Sequence, residues 1–313
     1  MKKSDSQKIF TKTIDVISIG LLLNIAISLV TPKISAFLLK LCGLLNIEKE
    51  SIAYANFSLV IDIILYVLAF LLPALFICIY VPQKNRIISV KPKFPQYFAL
   101  YVPFALGAIA IVGQIIYTYQ ALLEEYGIGV YGFDYTIPDD ITGIVLLFII
   151  SVIVPAVVEE ILFRKVILNN LIPYGELFAL ITVSAAFALM HCNPTQIPYT
   201  FVGGIILGTV VIKSRSVVPA IIIHASNNML SFTYMMLEKY TGEKVYTYSV
   251  TAIDSLIKLF GILSFIYLWK KGCFNIKNNE NLDFSPNKSI FRISVVFYVL
   301  FALFLAMQWV YVI

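Results

Sequence analysis

Charge is scarce in this chain. Asp, Glu, Lys and Arg make up 13% of its 313 residues, about half the share of an ordinary soluble domain, while 60% are hydrophobic and the mean hydropathy is +0.89. That deficit excludes a soluble globular class. The apolar residues fall in blocks of about 17 to 25, the length a helix needs to cross roughly 30 Å of hydrocarbon. Cysteine is equally sparse: Cys42, Cys78, Cys192 and Cys273 show no CxxC pair and no secreted-scaffold spacing, so no bridge is expected. There are only two histidines, His191 and His224, and no HExxH. No Pro/Gly/Ser-rich linker, low-complexity run or internal repeat divides the chain, which therefore reads as one integral membrane domain over 1–313.

The net charge of +5 does not form a basic face for nucleic acid. Lys and Arg sit in short clusters between apolar blocks and read as topology signals. The basic start followed by an apolar run resembles a secretory leader, but Ile14 to Val30 is long for one, lacks a small-residue cleavage site and contains Asn24. A retained first helix is expected. The fold class is all-α, a polytopic transmembrane bundle of about 8 to 9 spanning helices, drawn at 14–31, 57–81, 97–120, 141–171, 176–191, 197–212, 217–237, 251–269 and 290–312. Ser35 to Ile47 is apolar but short and reads as an interfacial or re-entrant helix.

Loop charge checks this drawing. Lys84, Arg86, Lys91 and Lys93 occupy 82–96 without an acid, whereas Glu124, Glu125, Asp134, Asp139 and Asp140 occupy 121–140 without a base. Arg164 with Lys165, Lys213 with Arg215, and Lys270 with Lys271 recur at alternate boundaries. The expected placement is a multi-pass protein of a cell membrane, of bacterial character, with a cytoplasmic N-terminus and an external C-terminus. The one long polar loop is 275–289.

Ionisable groups inside spanning helices are costly and by default functional. In VVEEILFRKVIL, Glu160 and Arg164 are spaced i, i+4 and can pair on one helix face, leaving Glu159, about 100° away, free to act as a base. Such a cluster also suits the point where a helix leaves the bilayer. FALMHCN places His191 after an apolar run, and IIIHASNN places His224 and Asn228 one turn apart, able to donate to one oxygen as an oxyanion site requires. A lone histidine is more often structural, but here both fall in apolar helices near the intramembrane acidic pair. At 1.5 Å per residue, a fourth helix continuing to about Asn170 puts Glu159 some 16 Å, His191 about 22 Å and His224 about 10 Å from the inner ends of their helices. Without that continuation the groups do not meet. Cys192 faces away from His191 and makes no dyad with it. Gly204 and Gly208 form GxxxG, the mark of a close helix contact.

EEILFR, FALMH and HASNN resemble, in order and approximate spacing, the EExxxR, FxxxH and HxxxN motifs of the CAAX-protease and bacteriocin-processing (Abi) family, which includes type II CAAX prenyl endopeptidases. The resemblance covers about 145–235, within a catalytic core drawn at 141–237. It implies an all-helical intramembrane endopeptidase in which Glu159 and His191 activate water. His224 and Asn228 would stabilise the oxyanion, with Glu160 and Arg164 in support. The substrate would be a membrane protein or peptide, prenylated or not, with the bilayer as the other partner and no nucleic acid. No cofactor is favoured, but Glu159, His191 and His224 could also hold a divalent metal such as zinc with a water. Two rival readings stay open, a non-catalytic bacteriocin-immunity protein of the same fold and a proton-coupled transporter. The transporter reading lacks the inverted repeats expected of that class.

Overall fold

The structure, a computed structural model, describes residues 4–43, 51–82, 87–131, 136–276 and 282–312, with the side chains of Cys42 and Gly43 excepted. Among these residues six helices are long and apolar enough to cross a bilayer. They are α1 (Asp5–Gly43), α2 (Ile52–Tyr80), α3 (Phe98–Glu125), α4 (Ile141–Tyr174), α6 (Gln196–Ser214) and α8 (Glu243–Lys270). Helices α5 (Glu176–Met190) and α10 (Ile293–Met307) are apolar but shorter, and α9 (Pro286–Ser289) is a single turn. Helix α7 (Val218–Tyr240) has 23 residues but does not join the six, since His224, Asn227 and Asn228 interrupt its apolar run. The expected eight or nine equivalent spans are thus six long helices, two short ones and one polar one. The molecule is a helical integral membrane bundle.

Several boundaries move from their expected places. Helix α1 continues through Pro32 to Gly43, so Ser35–Gly43 is its last part and not a separate interfacial helix. A proline removes one backbone bond, which membrane helices tolerate. Residues 44–47 of that stretch, along with Lys84, Arg86, Asp134 and the 277–281 part of the polar loop, lie outside the described residues. The last helix stops at Met307. Beyond it β2 (Val310–Val312) pairs antiparallel with β1 (Ile128–Val130), a small exception to an all-α chain.

The helical rod α4 is not uniform. Two π-helical stretches, Ile149–Ile153 and Ile161–Leu168, flank the α-helical Val154–Glu160. Pro155 cannot donate to the Ser151 carbonyl, which fits a widened turn just before it. The rod runs on through Asn170, as convergence of the polar groups demands. At its start Asp140 caps the helix by accepting from the Gly143 N–H at 2.9 Å. A hydrogen bond from Asn56, reinforced by that of Gly143, holds the Asp140 carboxyl below the usual carboxylate range. The cap is therefore lost as pH falls through that lowered range.

Charge separates along the bundle. One end holds Lys91, Lys93, Lys213, Arg215, Lys270 and Lys271. It is tied together by the Ser89–Ser216 bridge and by hydrogen bonds from Lys165 to the Ile88 carbonyl and from Lys213 to the Asn275 carbonyl. The other end holds Glu124, Glu125, Asp139 and Asp140, with Lys239 donating to the Ile137 and Pro138 carbonyls. Arg164 belongs to neither end. It is fully buried, which corrects its reading as a boundary charge.

Helices α3 and α8 meet where Gly107 faces Gly261: a Cβ on Gly107 would lie 2.7 Å from the Ile257 carbonyl oxygen and 2.8 Å from the Gly261 Cα. Both obstacles are backbone and cannot rotate away, so the contact depends on the absent side chains. Gly261→Leu is expected to force the two helices apart and lower the thermal unfolding midpoint in detergent. By contrast Gly113→Leu, which meets no atom within 4 Å, should leave it near the parent value.

Candidate active site

Four of the six residues singled out by sequence meet directly. Arg164 Nη1 donates to Glu160 Oε1 at 2.9 Å, with neither side chain reaching solvent. The same oxygen lies 3.0 Å from His224 Nδ1, which donates because a carboxylate only accepts. His224 Nε2 then faces Glu159 Oε2 at 3.8 Å. His224 therefore sits between the two glutamates. Glu159 stands outside the Glu160–Arg164 pair, and Tyr66 donates its hydroxyl to Glu159 Oε1 at 2.5 Å. Glu159 Oε2 is buried and has no hydrogen-bond partner among the described residues.

His191 ends α5. Its Nδ1 lies 2.9 Å from the Phe187 carbonyl, so that nitrogen carries the hydrogen and Nε2 is the acceptor left over. The chain then reverses sharply. Cys192 takes a left-handed φ of 46°, a conformation that costs a non-glycine residue energy. Asn193 next gathers the Thr195 N–H, the Thr195 hydroxyl and the Gln196 N–H on its side-chain oxygen. That cap starts α6 at once and fixes His191 at mid-bundle. Cys192 bonds only weakly to Leu189, and Cys192 and Cys273 are free thiols.

Phe187 is the hub of the cluster. The Arg164 guanidinium lies 4.3 Å from its ring centroid, and the ring meets His191 and His224 edge-on, with centroids 5.1 Å and 6.0 Å away. Arg164 also reaches the Gly204 carbonyl at 3.4 Å. Gly204 and Gly208 allow the approach of α6 to α5, since a Cβ on either would crowd Ser184 or Leu180. The GxxxG pair thus supports the site as well as the packing.

A cavity of about 990 Å³ opens onto these groups, its wall including Glu159, His191, His224 and Asn228. Glu160 and Arg164 lie behind that wall. Asn228 accepts from Asn227 Nδ2 at 3.4 Å, which leaves the Asn228 amide hydrogens available to a bound group. Two contributors escaped the sequence reading, Tyr66 and Asn227, and Phe187, the first residue of the FxxxH motif, had no role assigned to it there. Tyr66 comes from a helix that carries no motif, and nothing in the spacing of α2 marks it. Phe187 stands four residues before His191, a spacing that places two side chains on one helix face. Among the described residues no three His, Cys, Asp or Glu side chains are grouped to hold a metal ion.

Arg164→Met should strand the buried Glu160 charge and cost about 3–5 kcal/mol of stability, read as a lower unfolding midpoint in detergent. Combining it with Glu160→Gln should recover part of that loss, because no uncompensated charge then remains. A double variant no more stable than Arg164→Met would contradict the pairing.

Comparison with known proteins adds one match. Residues 141–230 match the family model described as type II CAAX prenyl endopeptidase Rce1-like, and the matched stretch contains all six residues of the cluster. No curated protein and no solved structure matches the chain. The stretch of this membrane protein that carries its polar cluster, residues 141–230, is thus similar to the Rce1-like family, in agreement with the resemblance carried by the three motifs.

Proposed function

We propose that the chain is an intramembrane endopeptidase whose catalytic core spans 141–237 and whose base is Glu159. One observation carries the reading: a buried carboxylate has one oxygen fixed by Tyr66 and the other without a hydrogen-bond partner among the described residues, on the wall of a cavity shared with His191, His224 and Asn228. A buried carboxylate oxygen without a hydrogen-bond partner is expensive. It gains its partner when a water hydrogen arrives.

In the proposed reaction Glu159 Oε2 accepts a proton from water, and His191 Nε2 accepts the water's other hydrogen bond. The water oxygen then attacks the carbonyl carbon of the scissile peptide. The amide hydrogens of Asn228 meet the developing oxyanion. Since the Nδ1–H of His224 is donated in a hydrogen bond to Glu160, its Nε2 can donate only when the ring carries a second proton. Glu159 lies close enough to share that proton. The C–N bond breaks as the proton taken from water passes to the leaving nitrogen. Tyr66, by holding Oε1, aims Oε2 at the water. Arg164 and Glu160 hold the frame, and no step requires a metal.

The basic end of the bundle carries the short Lys/Arg loops that are retained in the cytoplasm, which orients the N-terminus inward. The substrate is a membrane protein or membrane-bound peptide.

The test is cleavage of a candidate membrane peptide by purified protein. Glu159→Gln is expected to lower kcat about 10²–10⁴-fold and Asn228→Ala about 10²–10³-fold, both with unchanged unfolding midpoints. Tyr66→Phe should lower kcat by less and leave KM alone, since it acts through Glu159. Activity should survive a strong chelator. Folded Glu159→Gln protein that cleaves as fast as the parent would exclude the mechanism, and loss of activity in chelator that zinc restores would move it to metal chemistry.

A further inference from the structure

The two ends of the bundle differ in closure as well as in charge. Toward the basic end, Leu162, Phe163, Arg164, Leu168, Leu171 and Ile88 are fully buried. The Asn169 side chain accepts from the Ile87 and Ile88 N–H groups, both at 2.9 Å, which fastens the basic loop over the end of α4. The Ser216 hydroxyl bonds to the Lys91 carbonyl at 2.8 Å. These contacts make a packed plug between the glutamates and the basic loops.

The cavity extends the opposite way. On α4 it is lined by Glu159, Pro155 and then Ser151, in order toward the acidic end. On α7 it runs from His224 to Ser231 and Met235, and past α10 it reaches Gln308 and Trp309. Helices α1, α4 and α7 line it from mid-bundle outward to the acidic end and α10 only near that end, while α2, α3 and α6 add Phe70, Ala105, Ile109 and Leu207 closer to the middle. Ser231 and Gln308 are exposed. Trp309 accepts the N–H of Tyr131 at 2.9 Å, so its neighbourhood is that of the β1–β2 ribbon at the acidic end.

We infer that the cavity opens on the membrane face opposite the basic loops, the extracytoplasmic face, and that the substrate is a polypeptide segment delivered to or anchored at that outer face. This rests on the endopeptidase reading for the word substrate, but the direction of opening stands on the cavity and the charges alone. A lipid-modified tail held on the cytoplasmic face would meet the plug. An exported peptide, or the outer part of a membrane anchor, would meet an open wall with polar groups (Ser231, Asn228, Gln308) facing apolar ones (Leu29, Phe70, Leu305).

The test is site-specific labelling in spheroplasts expressing the full chain. Ser231→Cys, Gln308→Cys and Lys93→Cys are introduced one at a time, and modification by a membrane-impermeant maleimide is read peptide by peptide, so the native cysteines need not be removed. Ser231→Cys and Gln308→Cys should label in intact spheroplasts, and Lys93→Cys only after permeabilisation. Labelling of Lys93→Cys from outside, or of the two cavity positions only after permeabilisation, overturns the inference. If Ser231→Cys does not fold, Gln308→Cys gives the same reading from a separate helix end. Cleavage by Glu159→Gln at the parent rate would remove the endopeptidase reading and leave the labelling pattern standing, so the two failures are distinguishable.

Discussion

The Arg164 guanidinium is buried within the helix bundle with no exposed surface. A desolvated ion pair persists only where further hydrogen bonds and close contacts offset the loss of water, and the surroundings of Arg164 supply these from three directions. Glu160 faces it from the same helix, the Gly204 carbonyl from α6, and the Phe187 ring from α5. Meeting those needs draws three helices together. Glu160 then passes the constraint on to a fourth, because the oxygen that accepts from Arg164 also accepts from His224 on α7. The geometry of the polar cluster follows from how one cation is satisfied.

The sequence made some of this legible and hid the rest. The i, i+4 pairing of Glu160 with Arg164, the shared face of His224 and Asn228, and the need for α4 to run to Asn170 follow from helix geometry alone, which is local. Tyr66 and the seat of His224 between the two glutamates are tertiary facts. No spacing within α2 distinguishes Tyr66 from a tyrosine that faces lipid, and no spacing within α7 says which partner His224 meets. The reading of Arg164 as a boundary charge failed for a related reason. A loop cation and a buried cation look alike until burial is known, and here the two lay side by side as Arg164 and Lys165.

The π-helical stretches on both sides of Glu159 were also beyond sequence reasoning. A π turn widens the helix and is found disproportionately at functional sites. In α4 the second such stretch begins directly after Glu160 and carries Arg164. The glutamates thus stand where the winding changes. Pro155 marks the first stretch, since it removes a donor the regular helix would use. The second has no such residue, and its position coincides with the turn that must satisfy Arg164 and the plug at once.

The helices that least resemble membrane spans carry the polar cluster's histidines and Asn228. Helix α5 has 15 residues, about 22 Å at 1.5 Å per residue and short of the hydrocarbon thickness, so it ends at His191 within the bundle. Helix α7 is long enough but polar along the face that bears His224, Asn227 and Asn228. A polar face at that depth is tolerated only against protein or a water-filled cavity, and the end of α5 leaves room for the cavity. A shortened helix beside a polar one leaves the cavity at Glu159, while packed apolar residues close the bundle toward the basic end. The hydrolysis proposed for this site needs both an open wall at the carboxylate and a closed bundle beyond it, and the plug at the basic end keeps the two compatible.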